Sequence, residues 1–424
     1  MAPAGKPTHA GSIAFTYPSF RLYQTARFFI VLATEMQSVA VGWQVYEITK
    51  NPLDLGFVGL AQFLPGILLF LVSGHTADRY DRRRVLTAGY AGFAVCSGLL
   101  LAISLLRTHS VNLIYGVVVL VGIVRSFNAP ASRAILPLLV PEEHFHSAFA
   151  WGATIFEAAT ILGPAAGGLI YALFGGPSEV YAAAMVAAAA AAVSMLGVKP
   201  QFRPRPREAF SWKTVLAGMH YIWREKLVLG SISLDMFAVL LGGAVYLLPA
   251  FAHDILKTGP WGLGLLRCAP AIGAAAMAVL LANRPLGGNA GAKMLWCVVG
   301  FGVSTILFGI SHSMVISMIA LVLVGATDMV SVVIRGVLIQ LATPNDMRGR
   351  VNAVDMIFIG TSNELGGFES GATAKLFGIV TAVVIGGIGA VVVTAASAAL
   401  FPDLRKLDQL PSEESQTTIP ASLA

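Results

Sequence analysis

The sequence predicts an all-α membrane protein with twelve transmembrane helices in two six-helix halves. Three observations predict it. Of 424 residues, 56% are hydrophobic and only 12% charged, against roughly 25% charged in soluble domains; no water-soluble core could cover that much apolar surface. Twelve apolar runs reach the length of about 20 residues that a helix needs to cross hydrocarbon. A basic stretch over 199–226, containing Pro200, Pro204 and Pro206, divides them into six before and six after.

The runs lie at roughly 22–47, 54–74, 84–106, 112–139, 148–172, 180–198, 227–252, 261–283, 293–311, 314–342, 351–376 and 378–401. They set five segments: a tail over 1–21, a first half over 22–198, a linker over 199–226, a second half over 227–401 and a tail over 402–424. The first twenty residues lack the apolar core of a signal peptide, so run 1 is read as a retained helix. Lys and Arg gather in the connection after run 2, in the linker and in both tails. The opposite connections hold Lys50, Arg107, Lys257 and Lys375. By the positive-inside rule both termini are cytoplasmic. That asymmetry also explains the net charge of +6, which therefore implies no nucleic-acid partner. Cys96, Cys268 and Cys297 fall inside apolar runs, without disulfide or metal spacing, and read as small buried hydrophobes.

The two halves repeat locally. Gly59-Leu-Ala-Gln-Phe-Leu-Pro65 in run 2 parallels Gly264-Leu-Leu-Arg-Cys-Ala-Pro270 in run 8, at an offset of 205 residues. Leu139-Val-Pro-Glu-Glu143 after run 4 parallels Ala342-Thr-Pro-Asn-Asp346 after run 10, at an offset of 203.

Ionisable residues are unfavourable in hydrocarbon and mark function or a partner. Run 1 has Arg27, Glu35 and Glu47; run 4 has Arg125 and Arg133; run 5 has Glu157; run 7 has Asp235; run 8 has Arg267; run 10 has Asp328 and Arg335; run 11 has Asp355, Glu364, Glu369 and Lys375. Apart from the boundary residues Arg84 and Lys293, runs 3, 6, 9 and 12 carry no charge within their spans and can face lipid. Glu35, Arg125, Asp328 and Glu364 sit near the middle of their runs. Arg27, Glu47, Arg133, Arg335, Asp355 and Lys375 sit near ends, where snorkelling to water is the expected behaviour. The repeat makes Arg125 and Asp328 equivalents, so one could neutralise the other, as a static pair or as one that opens with protonation. Asn363-Glu364-Leu-Gly-Gly-Phe-Glu369 reads as a polar, glycine-broken stretch that must line water or protein.

Gly74-His-Thr-Ala-Asp-Arg-Tyr-Asp-Arg-Arg-Arg84 reads as a short basic loop between runs 2 and 3. Gly74, Asp78, Arg79, Arg82 and Arg83 fit the pattern G-x-x-x-D-R-x-G-R-[RK], with Asp81 at the second glycine. In this the chain resembles the major facilitator superfamily, whose fold is the twelve-helix arrangement above. Arg125-Ser-Phe-Asn128 is similar to its helix-4 pattern R-x-x-[QN], and the resemblance implies a role for Arg125 in proton coupling. Gly163-Pro-Ala-Ala-Gly-Gly168 resembles the G-P-x-x-G-G core of its exporter and antiporter motif, with Ala150 and Ala159 at upstream glycine places. Physically, Pro164 removes an amide while Gly163, Gly167 and Gly168 allow close helix approach. Together with Pro344-Asn-Asp-Met-Arg-Gly-Arg350, these residues resemble a branch of bacterial siderophore and macrolide exporters over about residues 20–401. The resemblance implies that Asp78, Arg79 and Arg83 latch the cytoplasmic side, Asp78 facing the helix start near Val351.

The expected function is a secondary active transporter of the bacterial cytoplasmic membrane. It would be a proton-coupled antiporter carrying out efflux of a small amphipathic molecule, working as a monomer among lipids. Glu35, Asp328 and Glu364 are the foremost proton carriers, with Arg125, Asn128, Glu157, Asp235, Arg267 and Glu369 completing the cavity set. Import, uniport and a non-transporting sensor are the alternatives. No nucleotide-binding loop of the form G-x-x-x-x-G-K-[ST] occurs, no catalytic constellation stands out, and no cofactor is expected. His144 and His146 beside Glu142 and Glu143 read as a solvated loop rather than a metal site. Reporter fusions after Arg84, Arg207 and Arg405 should read cytoplasmic, and those after Lys50 and Lys257 external. An external signal at Arg84 would overturn the orientation.

Overall fold

A computed structural model describes residues 10–108, 110–200, 212–284, 287–344 and 347–407. After a 3-10 turn over Ala10–Thr16 come α1 Pro18–Thr49, α2 Pro52–Leu68, α3 Phe70–Arg79, α4 Arg82–Leu105, α5 Val111–Ile135, α6 Phe145–Phe174, α7 Ser178–Leu196, α8 Trp212–Arg224 and α9 Lys226–Leu241. There follow a short α10 Leu248–Ala250, then α11 Gly259–Asn283, α12 Ala290–Ile310, α13 Met314–Ala342, α14 Arg348–Phe377, α15 Ile379–Leu400 and a short α16 Pro402–Arg405. No strand occurs among the described residues. In hydrocarbon a segment must satisfy its own backbone, and a helix does so without neighbours.

Ten helical stretches among the described residues are long and apolar enough to span a membrane. Two more predicted spans miss that measure for visible reasons. Run 2 is broken at Leu69 into α2 and α3, so its apolar part is short. Run 11 is one long helix, α14, but it carries Arg348, Arg350, Asp355, Glu364, Glu369 and Lys375.

Four expectations need correction. The basic stretch after run 2 is mostly not a loop: Gly74 to Arg79 continue α3, and Arg82 already begins α4. Run 7 does not stay helical, because α9 stops at Gly242-Gly243 and a 3-10 turn, α10 and a π turn over Phe251–Ile255 complete it. The stretch from Asn363 to Glu369 is not broken by its glycines; α14 runs through it. The linker contains α8, an amphipathic helix that buries Val215 and Ile222 and exposes Leu216 and Trp223. No long apolar run marks α8, because its hydrophobic residues are periodic rather than continuous.

The chain forms two compact units. The first comprises Met1–Lys50, Ala61–Phe210 and Thr258–Cys268. The second comprises Asn51–Leu60, Ser211–Lys257 and Ala269–Ala424. Each unit thus includes a short helical segment from the other half of the sequence.

Within the first unit, α1 packs on α6 and α7, and α4 on α5 and α7. Side-chain hydrogen bonds tie these helices: Ser97 Oγ donates to Gln37 Oε1 at 2.6 Å, and Tyr181 Oη to Gln44 Oε1 at 2.6 Å. Glycines let α6 approach closely. A Cβ on Gly167 would lie 2.9 Å from Met36 Cα, one on Gly163 2.5 Å from Glu35 Cβ, and one on Gly168 2.8 Å from Gly264 Cα. The helix ends at Gly175, whose left-handed φ of 74° lets its amide reach Tyr171 O at 2.9 Å.

In the second unit, α12 packs on α13 and α15, while α9 packs on α14 and α15. Leu234, Met294, Phe301, Ile334, Leu338 and Leu404 meet in its core. Gly325 of α13 sits on the Pro270 backbone of α11, and Gly273 of α11 sits on the Val322 backbone of α13.

These seams predict opposite outcomes at two helical glycines. Gly167→Val forces a branched side chain into the α1 backbone and should lower folding stability by about 1–3 kcal/mol. Gly336→Ala, with open space around the added Cβ, should be neutral or stabilising. Thermal unfolding of the purified protein in detergent checks both.

Candidate functional site

In the first unit, Glu35 and Ser38 share one face of α1, being three residues apart. The residues of α11 that belong to this unit reach them: Arg267 Nη1 donates to Ser38 Oγ at 2.8 Å. The next residue, Cys268, donates to the α6 carbonyl of Ile161 at 2.9 Å. Glu35 also lies against Gly163 of α6. Three helical segments therefore converge where a carboxylate, a hydroxyl and a guanidinium meet.

Other predicted residues of this unit are spread along it. Arg27 lies over the Phe156 ring, 5.5 Å from its centroid. A Cβ on Gly152 would stand 3.0 Å from its Nη1. Glu157 is half-buried on α6, Arg125 is exposed on α5, and Asn128 is buried one turn further on. The Asn128 amide packs directly over Gly89 of α4, and neither of its polar atoms has a hydrogen-bond partner among the described residues. Glu47 does not simply snorkel, since Tyr171 Oη donates to its Oε2 at 3.1 Å.

The basic motif has a structural task inside this unit. Asp81 caps α4, accepting from Arg83 N at 2.9 Å. The Arg83 guanidinium donates to the carbonyls of Met195 and Leu196. These are orphan acceptors at the C-terminus of α7, where positive charge also meets the helix dipole. Both acceptors belong to the same unit as Arg83. Gly74 and Arg79 lie on α3 and Arg82 opens α4. The Asp78 side chain lies outside the described residues, as do Asn345 and Asp346 of the second motif.

The second unit holds the strongest electrostatic feature. Arg335 of α13 is 4% exposed. Its Nη1 pairs with Asp235 Oδ2 of α9 at 2.9 Å and with Asp355 Oδ1 of α14 at 3.1 Å. Position within the run suggested snorkelling for Arg335 and Asp355; both instead join a buried cluster. Asp328 and Ser331 precede Arg335 by seven and four residues and fall on the same side of α13. Asp235, Asp328, Thr327 and Ser331 line a small cavity closed by Val298 and Phe301 of α12. Asp328 thus stands with the Arg335 cluster of its own unit, whereas Arg125 belongs to the first unit. The spacing Asp328-x-x-Ser331-x-x-x-Arg335 was readable as one helix face, but its partners on α9 and α14 were not.

Two further carboxylates occupy α14. Glu364 lies beside the 51–60 segment: a Cβ on Gly59 would be 3.2 Å from its Oε2 and 3.3 Å from the Tyr246 ring. Tyr246, which sequence reasoning did not single out, also packs on Gly367. Glu369 is held within its helix, accepting from Thr373 Oγ1 at 2.7 Å. No group of three or more metal-ligating side chains occurs among the described residues.

The chain resembles known membrane transporters along its whole length. A family profile described as "Transmembrane secretion effector" matches residues 11–423. The enterobactin exporter EntS of Escherichia coli O81 (strain ED1a) is 28% identical over 416 residues, covering 95% of this chain and 96% of the relative. The same exporter of Shigella boydii serotype 18 is 27% identical with the same coverage. Among solved structures, the nucleoside transporter NupG superposes with a TM-score of 0.71 at 13% identity, covering 90% of this chain and 100% of that one. A bacterial homologue of the iron transporter ferroportin superposes with a TM-score of 0.68 at 16% identity, covering 90% and 98%. At those identities the structural likeness speaks for the fold alone.

The arginines of the basic motif should separate by their partners. Arg83→Met removes a charged donor from the end of α7 and should lower stability by about 1.5–3 kcal/mol. Among the described residues Arg84 makes an exposed 3.9 Å contact to Asp81, and Arg84→Ala should change stability by less than about 0.5 kcal/mol. Unfolding midpoints of the two variants, compared with wild type in one detergent, check the contrast.

Proposed function

The chain belongs to the transmembrane secretion effector family of the major facilitator superfamily and is a multi-pass membrane transporter; from that premise we propose that it is a proton-coupled exporter of a small amphipathic molecule of siderophore or drug type. It would work by alternating access in the bacterial cytoplasmic membrane, as a monomer, with both termini cytoplasmic. The observation that carries the export reading is the α6 seam. Gly163 and Gly167 press on α1 at Glu35 and Met36, and Gly168 presses on Gly264. The helix bearing the exporter-like motif is thereby in backbone contact with the elements that hold Glu35 and Arg267. Relatives named as enterobactin exporters, alike over nearly the whole chain, support the same direction.

Coupling to protons needs a group that changes charge at membrane depth. Glu35, Asp328 and Glu364 are the foremost carriers in this reading, with Asp235, Glu157 and Glu369 behind them and Arg125, Asn128 and Arg267 as polar neighbours. The energy available suits the task. One inward proton releases about 2.3 kcal/mol per 100 mV and about 1.4 kcal/mol per pH unit. Their sum, about 3.7 kcal/mol, would sustain a gradient of several hundredfold for an uncharged substrate. The Gly74, Asp78, Arg79, Arg82 and Arg83 motif acts in this reading at the cytoplasmic gate, where Asp78→Asn would favour one state and slow turnover.

Efflux assays test the proposal. Cells lacking the transporter should accumulate its substrate, and Gly167→Val should lower efflux while the protein still inserts. In proteoliposomes carrying a catecholate siderophore such as enterobactin, an imposed pH gradient should drive flux. At least one of Glu35→Gln, Asp328→Asn and Glu364→Gln should remove that dependence while retaining binding. Faster accumulation of the compound in cells expressing the wild type would mark an importer. Flux indifferent to the gradient would mark a uniporter.

A further inference from the structure

The cavity between α9, α12 and α13 is built unlike the rest of the second unit. It has room for about one water molecule. Its polar walls are Asp235, Thr327, Asp328 and Ser331. Ser331 is 2% exposed, and its hydroxyl has no hydrogen-bond partner among the described residues. A buried hydroxyl aimed into a cavity between two carboxylates is ready for a donor or an acceptor that comes and goes. Two carboxylates, Asp235 and Asp328, line it. Among the described residues Arg335 pairs with Asp235 and also with a third carboxylate, Asp355.

The surrounding helices also carry other titratable and charged groups. On α12 they are Lys293 in its first turn and Cys297, and on α9 Lys226 in its first turn. The portion of α11 in this unit and α15 carry none. Beyond Asp355, α14 carries Arg348, Arg350, Glu364, Glu369 and Lys375. The flanking α8 carries Lys213, His220, Tyr221 and Arg224, and α16 carries Asp403 and Arg405. With all three aspartates ionised, the cluster would hold two uncompensated negative charges in a dry interior, which low dielectric strongly disfavours.

Resting on the proton-coupled reading above, we propose that this cavity is the exchangeable proton site: Asp328 binds the proton, Ser331 accepts its hydrogen bond, and Arg335 is the positioning residue that keeps Asp235 and Asp355 ionised. Loading adds one proton to the Asp328 carboxylate, giving a neutral acid. Release returns it to water entering the cavity and leaves a third anion beside Arg335. The guanidinium, bonded through a single nitrogen to carboxylates on two different helices, is then drawn toward Asp328 and loosens its hold on Asp355. Proton loss thereby frees α14, the helix that also carries Glu364 and Glu369.

Infrared difference spectroscopy of the full-length protein in nanodiscs, titrated with pH and without substrate, reads the protonated carboxyl directly. A carboxylic C=O band should appear on acidification and be lost in Asp328→Asn. Ser331→Ala removes the acceptor of the acid proton and should lower the midpoint of that band. Arg335→Met removes the neighbouring positive charge and should raise it by about one pH unit or more, whereas Arg335→Lys should restore it. A purely structural role for Arg335 would leave the midpoint unmoved, and that result would overturn the assignment. Should Asp328→Asn fail to fold, the opposed shifts in Ser331→Ala and Arg335→Met decide alone. Gradient-driven flux in wild type, measured in parallel, separates the two readings. A titrating Asp328 without gradient-driven flux refutes proton coupling and leaves a proton site. Gradient-driven flux with a band indifferent to Asp328 and Ser331 refutes this site and leaves the coupling reading intact.

Discussion

In hydrocarbon a backbone amide can bond only within the protein, and an ionised side chain must find a partner or water. Most of this structure follows from that constraint. It makes the elements helical, because a helix closes its own hydrogen bonds. It also explains the interruptions. Where α9 ends at Gly242-Gly243, the chain continues as 3-10, α and π turns packed inside the second unit, with Leu247, Leu248 and Phe251 fully buried. Irregular backbone survives there because protein surrounds it.

With lipid as apolar as leucine, apolar burial gives helices little reason to associate, so contact must come from close packing and polar pairs. Both devices appear. The glycines of α6 bring backbones together around Glu35 and Gly264. Gln37, Gln44 and Glu47, on one helix, each take a hydroxyl from another helix of the same unit. A surface of glycines holds no interlocking side chains, so helices meeting on it can slide or part with little repacking. That property suits a transporter, and it is why the proposed function rests on this seam.

The second unit solves the charge problem differently. Arg335 bridges Asp235 and Asp355 across three helices, a buried arrangement that is strongly unfavourable to break by removing one partner and close to neutral as a whole. Such a cluster is better suited to switching than to stability. Its carboxylates outnumber its cation, so its charge balance depends on where a proton is held. The isolated carboxylates differ: Glu369 is satisfied by Thr373 on its own helix, and Glu47 by Tyr171.

By itself the sequence determined the helical membrane class, the approximate spans and the family resemblance. These depend on run length, charge placement and short contiguous motifs, which are local properties. It also placed Asp235 and Asp328 among the residues to watch, because a carboxylate in an apolar run is visible without neighbours. Tertiary structure alone decided who partners whom. Arg335 and Asp355 lie near the ends of their runs and read as snorkelling side chains; they pair instead, with Arg335 buried and Asp355 partly so, because α9, α13 and α14 converge there. Arg83 reads as a gate residue by motif, yet it caps α7, more than a hundred residues away in sequence. The Ser331 hydroxyl, without a hydrogen-bond partner among the described residues, has no signature in the chain, since serine is common in membrane helices and only packing removes its alternatives. Helix and span are written in spacing along one segment, whereas a charge's partner depends on which distant segments the fold brings beside it.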